Sequence, residues 1–249
     1  MSCKLWQVPA EAKDYYMKVL VIIPAYNESE SILGVVNELK TKCPDYDYVV
    51  VNDCSKDNTL EILRENNINH LNLPVNLGIG GGMQTGFKYA VERGYDIGVQ
   101  LDGDGQHDPA FIKDLIAEVE AGNCDICIGS RFISHEGFQT SGMRRLGIGI
   151  LKMLIKISCG ITITDATSGF RAINRKALIH YTRSYAQDYP EPEACVSAYK
   201  NGLDLKEIPV IMRERQGGKS SINIGRSVYY MAKVSIAILL YGFARRADK

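Results

Sequence analysis

The stretch Val99-Gln-Leu-Asp-Gly-Asp-Gly-Gln-His-Asp-Pro109 begins apolar and stops in a cluster of carboxylates. Residues 97–101 have the length and composition of a buried strand. The run ends in Asp102, Asp104, Gln106, His107 and Asp108. Open α/β sheets collect their ligands at strand carboxyl ends. Two carboxylates one residue apart, each followed by glycine, can converge on one point. Oxygen ligands of this kind suit Mg²⁺ or Mn²⁺, which keeps part of its shell for substrate phosphates. The stretch therefore predicts a metal–diphosphate site at a strand end.

Rival readings are weighed against the same residues. An EF-hand loop needs glycine at its sixth place and glutamate at its twelfth, where this chain has His107 and Lys113. A plain acidic turn accounts for Asp108, which reads as a helix cap with Pro109 in the first helical position. It does not account for Asp102 and Asp104, whose like charges repel without a cation. A carboxylate pair working without metal stays open as the third reading.

Upstream, residues 18–23 read as a first buried strand, broken by Pro24-Ala-Tyr-Asn-Glu-Ser29. Ile32, Val35, Val36 and Leu39 then follow at helical spacing, and Asn27 with Glu30 has the spacing of a capping box. Residues 48–52 predict a second strand, 59–66 a helix and 70–73 a short third strand. Asn76-Leu-Gly-Ile-Gly-Gly-Gly82 reads as a glycine-rich turn feeding a helix to residue 93, with Met83, Phe87, Ala90 and Val91 on its buried face. It matches neither a Walker loop nor the dinucleotide pattern GxGxxG. Two readings remain: the glycines let a neighbouring segment come close, or they let backbone approach a nucleotide.

Downstream, residues 109–120 read as a helix with Phe111, Ile112, Leu115, Ile116 and Val119 on one face, followed by a strand over 125–129 that ends in Ser130-Arg131. This alternation predicts an α/β fold, a mostly parallel central sheet with helices on both faces. Beyond it, 134–141 reads as a polar mobile segment and 144–159 as a helix. Asp165-Ala-Thr-Ser-Gly-Phe-Arg171 is a polar turn before a short strand. Residues 191–201 read as a helix, 204–212 as the last strand and 213–221 as a loop.

The chain has 249 residues and a formal net charge of zero, so no global field points to nucleic acid. Seven scattered cysteines suggest reduced thiols in a cytoplasm. Cys124-Asp-Ile-Cys127 lacks the second pair that a zinc site needs and reads as buried packing. Residues 1–17 read as an N-terminal extension without a signal peptide, 18–221 as the main domain and 222–249 as an apolar, amphipathic helical tail. No apolar run is long enough to span a bilayer. The tail reads either as lying flat on a membrane, with Arg245 and Arg246 at the head groups, or as packed on the domain or a partner.

Six motifs stand in order: Pro24-Ala-Tyr-Asn-Glu28, Asn52-Asp-Cys-Ser-Lys-Asp-Asn-Thr59, Asn76-Leu-Gly78, Asp102-Gly-Asp-Gly-Gln-His107, Gly129-Ser-Arg131 and Ser168-Gly-Phe-Arg171. Together they resemble family 2 glycosyltransferases of the GT-A (Rossmann-like) fold, and among these the branch of dolichol-phosphate mannose synthase and the polyprenyl-phosphate sugar synthases. The resemblance implies that Pro24, Tyr26 and Glu28 hold the base and ribose of a nucleotide-sugar donor, and that Val51 and Asp53 finish that pocket, Asp53 accepting from a base N–H. It implies that Asp102, Gly103 and Asp104 form the DxD motif, with Gln106 as a further ligand of Mg²⁺ or Mn²⁺. Arg131 would lie against phosphate, and Asp104 and Arg131 would carry the chemistry. Arg215 matches the arginine of an RxxGxSK motif near a lipid phosphate; the final lysine of that motif falls on Ser221, with Lys219 as its substitute.

An inverting transfer onto a polyprenyl phosphate needs cationic guidance rather than a base, and Arg131, Arg171 and Arg215 suit it. A hydroxyl of a glycan or lipid-linked saccharide, as in cell-surface polysaccharide synthesis, would need a carboxylate base, with Asp188, Glu191 and Glu193 at hand. The resemblance also implies a peripheral protein on the inner face of the membrane. It would be cytoplasmic, helped by a small membrane-protein partner or by a second copy of itself.

Overall fold

A computed structural model describes residues 17–134, 136, 142–188, 190–214 and 224–242. The strands are β1 (Val19–Ala25), β2 (Asp47–Asn52), β3 (His70–Asn72), β4 (Ile97–Gln100), β5 (Ile126–Ser130), β6 (Arg171–Asn174) and β7 (Leu205–Pro209). The helices are α1 (Ile32–Lys42), α2 (Thr59–Glu65), α3 (Gly78–Glu92), α4 (Ile112–Glu120), α5 (Gly142–Cys159), α6 (Arg175–Arg183), α7 (Pro190–Lys200) and α8 (Ile224–Gly242). The expected elements are present within a residue or two. The exceptions are α6, which the sequence pattern does not announce, the expected helix 109–120, whose first three residues form a 3-10 turn before α4, and the last strand, which stops at Pro209 rather than 212.

One seven-stranded sheet runs in the order β3-β2-β1-β4-β6-β5-β7. β6 alone is antiparallel, wedged between β4 and β5. β1 leads to β2 on one side, while β3 leads through α3 to β4 on the other. That reversal opens a crevice at the carboxyl ends of β1 and β4.

Alternation along β1 divides the core between the two faces. Val19, Val21 and Ile23 pack with α1, α2 and α4. Leu20 and Ile22 pack with α3 and α5 through α8. Each large apolar side chain so enclosed contributes about 1.5–3 kcal/mol. Pro24 continues β1 opposite Val51 instead of breaking it. Its lost N–H falls on the β4 side, where β4 has already ended at Gln100.

Two further expectations are corrected. Asn27 is not a cap: it takes a left-handed backbone (φ 57°), which asparagine tolerates, and ties the β1 loop to the β2 loop through Ser55 and Lys56. The carbonyl of Glu28 instead receives the N–H of Ser31 and of Ile32. The glycines 78–82 lie inside α3 rather than in a turn before it. A Cβ on Gly80 would stand 1.9 Å from the carbonyl oxygen of Ala186, so the geometry supports close approach of a neighbouring segment. The tail helix α8 packs on the domain through Val234 and Ile238, both fully enclosed. The expected mobile segment falls largely on residues 135 and 137–141, outside the described residues.

Candidate functional site

The loops after β1, β2 and β4 meet at the crevice. Glu28 N–H donates to Thr59 Oγ1 at 2.9 Å and Ser29 N–H to Asp57 Oδ2 at 3.1 Å, joining the first two loops. Ser31 Oγ bridges to the third, its one proton shared between the Gly103 carbonyl oxygen at 2.8 Å and Glu28 Oε2 at 2.9 Å. A Cβ on Gly103 would stand 2.9 Å from the Pro24 carbonyl oxygen. Pro24, Glu28 and Gly103 are therefore brought together, with the Tyr26 ring exposed beside them.

Asp102 and Asp104 leave the end of β4. The Asp102 carboxylate keeps about a third of its side-chain surface open (34%). Its Oδ1 accepts from Gln100 Nε2 at 3.2 Å, and its backbone N–H donates to His107 Nδ1 at 3.2 Å. That bond places the imidazole proton on Nε2, 3.7 Å from Asp102 Oδ2. His107 stacks on Phe170 with ring centroids 4.8 Å apart. Asp104 is buried and accepts from the Gln106 N–H at 3.0 Å.

The donor chemistry fits a hard divalent cation. Among the described residues Asp102 meets an amide and an imidazole, not a lysine or arginine, so its charge is left for a cation to neutralise. Among the described residues, no three His, Cys, Asp or Glu side chains form a complete metal cage. Two carboxylates suit a cation that shares its shell with substrate phosphates. Gln106 donates its amide nitrogen to the Arg213 carbonyl at 3.4 Å.

The other expected site residues are placed as follows. Val51 is fully enclosed in the core, so it offers a pocket only backbone. Asp53 is buried at the head of α3, its Oδ1 accepting the Leu77 N–H at 2.7 Å. Desolvation raises its pKa against the pull of the Leu77 and Gly78 N–H groups. Arg171 is buried behind the site rather than facing phosphate. It donates to the carbonyls of Ser168, Ala166 and Glu191, and its Nη1 has no partner among the described residues. Arg131 forms a bidentate pair with the enclosed Asp165, both bonds at 2.7 Å, and donates to Thr167 at 2.9 Å. Glu207 holds the Asp165 loop by accepting from Thr164 and from the Asp165 N–H. Arg215 and Lys219 lie outside the described residues.

Sequence reasoning missed Gln100, Gly169, Asp165 and Glu207 as parts of the site. A lone amide in an otherwise apolar strand was the available signal for Gln100. Glu191 comes from α7 to lie behind Asp102. Its carboxyl is enclosed and pushed up to about 7, first by desolvation and then by the Asp102 charge, while Arg171 opposes the rise.

Residues 20–182 match the family model described as glycosyl transferase family 2. The chain is 29% identical over 232 residues to a polyprenol monophosphomannose synthase of Mycolicibacterium smegmatis, covering 88% of this chain and 87% of that one. It is 34% identical over 239 residues to a UDP-N-acetylglucosamine–dolichyl-phosphate N-acetylglucosaminyltransferase of Methanococcus voltae, covering 85% and 93%. The fold is similar to that of glucosyl-3-phosphoglycerate synthase from Mycobacterium tuberculosis, solved with Mn²⁺, UDP-glucose and phosphoglyceric acid. The TM-score there is 0.70 at 17% identity, over 91% of this chain and 80% of that one.

Proposed function

The chain belongs to glycosyl transferase family 2, and on that footing we propose that it moves a sugar from a UDP- or GDP-linked donor to a polyprenyl phosphate with inversion. The observation that carries the reading is the partly open Asp102 carboxylate, flanked by Gln100 and His107, at the crevice where the sheet reverses. The polyprenol and dolichyl phosphates in the relatives' names support the acceptor class.

In the reaction an acceptor phosphate oxygen bonds to the anomeric carbon as the bond from that carbon to the nucleoside diphosphate breaks. Asp102 and Asp104 would hold Mg²⁺ or Mn²⁺, which offsets the charge of the departing diphosphate. Pro24, Tyr26, Glu28 and Asp53 line the donor side. Arg131, fixed by Asp165, sits at the end of β5, and Arg215 and Lys219 follow in the segment after β7. An anionic phosphate needs no general base.

The acceptor is a membrane lipid in this reading, and the protein works as a peripheral protein at the cytoplasmic face. No helix among the described residues is long and apolar enough to cross a membrane. α5 and α8 pack side by side, Met231 lying against Gly147. Their outer faces expose Leu146, Ile150, Met153 and Ile157 on α5, and Tyr229, Ile236 and Leu240 on α8. Neither helix contains an acidic residue, and Arg145, Lys152 and Lys156 flank the α5 stripe. This pattern favours an anionic lipid surface.

A hydroxyl acceptor is the second reading. Glu191, pushed up to about 7 and close enough to sense Asp102, would serve as its base. Nucleoside diphosphate release from UDP- and GDP-sugars tests both. The arms are polyprenyl phosphate, polyprenol or no acceptor, each with Mn²⁺, Mg²⁺ or chelator. We expect metal-dependent release that rises with the lipid phosphate and falls by about 10²-fold or more in Asp102→Asn. Release stimulated only by the hydroxyl lipid would select the second reading, and release indifferent to chelator would remove the cation.

A further inference from the structure

Gln100 is the last residue of β4 and only 3% exposed, in a strand otherwise filled by Ile97, Gly98 and Val99. A buried carboxamide is costly unless it is hydrogen-bonded. Here its Nε2 donates to Asp102 Oδ1 at 3.2 Å, and its side chain lies close enough to Glu191 to pull that carboxyl's pKa down slightly. Glu191 is held in turn by Arg171, which stands opposite Gln100 in the β4–β6 pairing and donates to the Glu191 carbonyl at 3.1 Å.

Gly169 supplies the second observation. A Cβ at that position would stand 2.7 Å from Gln100 Nε2 and 3.0 and 3.1 Å from the two Asp102 carboxylate oxygens. Amide and carboxylate can meet only because residue 169 has no side chain. Among the described residues the Asp102 carboxylate is thus flanked by Gln100 and Gly169 on one side and His107 on another, with about a third of its side-chain surface open.

We propose that Gln100 is a positioning residue for the cation–diphosphate site, with Gly169 as the space that makes its contact with Asp102 possible. The inference rests on the cation reading above. An amide suits this role because it fixes the carboxylate by a hydrogen bond and leaves its negative charge intact. A lysine or arginine in its place would neutralise Asp102 and compete with the cation. Outer-shell partners of metal ligands typically change metal affinity by about 10–100-fold when removed.

The test is Mn²⁺ affinity, read by loss of the free-ion electron paramagnetic resonance signal, with UDP and separately GDP present. It compares the full chain with Gln100→Met, which keeps reach but removes the donor, and with Gly169→Ala, which fills the space. Ile97→Val serves as a control for simple loss of stability in the same strand. We expect Mn²⁺ to bind on the order of tenfold more weakly in the first two variants and unchanged in Ile97→Val. Wild-type affinity in both folded variants overturns the inference, whatever their melting temperatures. If one variant does not fold, the other decides. A wild-type chain that binds no Mn²⁺ with either nucleotide removes the cation reading, and the inference with it.

Discussion

Gln106 and Arg213 bind each other twice: the Arg213 N–H donates to the Gln106 carbonyl at 2.9 Å, and the Gln106 side-chain amide donates to the Arg213 carbonyl at 3.4 Å. One residue away, His107 and Met212 form an antiparallel bridge. The Arg213 guanidinium reaches Glu38 at 2.9 Å and also pairs with Asp108, which Lys42 joins at 2.6 Å. The carboxylate loop is therefore tied directly to the root of the segment carrying Arg215 and Lys219.

Arg213→Ala should loosen that connection without touching Asp102. We expect the apparent KM for polyprenyl phosphate to rise several-fold while acceptor-independent release of nucleoside diphosphate stays unchanged. These pairs are partly solvated, so the stability loss should be about 1 kcal/mol. An unchanged KM would detach the segment after β7 from acceptor binding.

Glu191 makes stability depend on pH. Its folded pKa of about 7 lies above the ordinary glutamate value of 4.5, so the folded state holds the proton more tightly than the unfolded chain. Its contribution is fully present below the unfolded value and is lost as pH rises through about 7. Glu191→Gln should therefore melt later than wild type at pH 8, by about 1–2 kcal/mol, with the advantage shrinking toward pH 5. Melting curves across that range decide it, and an offset independent of pH would sink the assignment.

Gly80→Ala places a methyl group where the Ala186 and Gln187 backbone now passes. Backbone cannot yield as a flexible side chain can, so a loss of about 1–3 kcal/mol is expected. Denaturant midpoints measure it. Wild-type stability in this variant would return the α3 glycines to the nucleotide-binding reading.

Leu146→Glu with Ile157→Glu puts two charges on exposed positions (67% and 69%) that touch no core. We expect the folded double variant to lose co-sedimentation with vesicles rich in phosphatidylglycerol while it still turns over a short-chain, water-soluble acceptor. Undiminished sedimentation would move the contact off α5.

Much of this architecture was open to reading because the strands are short apolar runs ending in turn residues, as at Ile23-Pro24 and Leu101-Asp102. Asp108 was legible as a cap because a cap depends on its immediate neighbours; it accepts the Ala110 N–H at 2.9 Å. What escaped depends on distant partners. Arg171 looks like a phosphate ligand until β6 is inserted beside β4 and encloses it. The bond from the Leu77 N–H to Asp53 joins residues 24 apart and was not legible locally. Asp165 and Glu207 gain their roles only through contacts 34 and 42 residues away in the chain. The helix α6 was hidden by Arg175, Lys176, His180 and Arg183, whose polarity masks a buried face of Ala177, Leu178 and Tyr181.

The reversed strand β6 also sets an order of assembly. β4 and β5 are joined through α4, yet they never pair; residues 171–174 must first come between them. During synthesis, β1 through β4 can zip together as soon as β4 emerges. β5 then waits, with its pairing edge open, for more than forty further residues (from 130 to 171). Such distant pairing is slow, and the exposed edge is open to wrong partners meanwhile. The residues around Arg171 join the two parts of the sheet, and β7 then adds at the far edge of β5, so the half of the molecule that holds Arg131 and supports Asp102 is the last to become native.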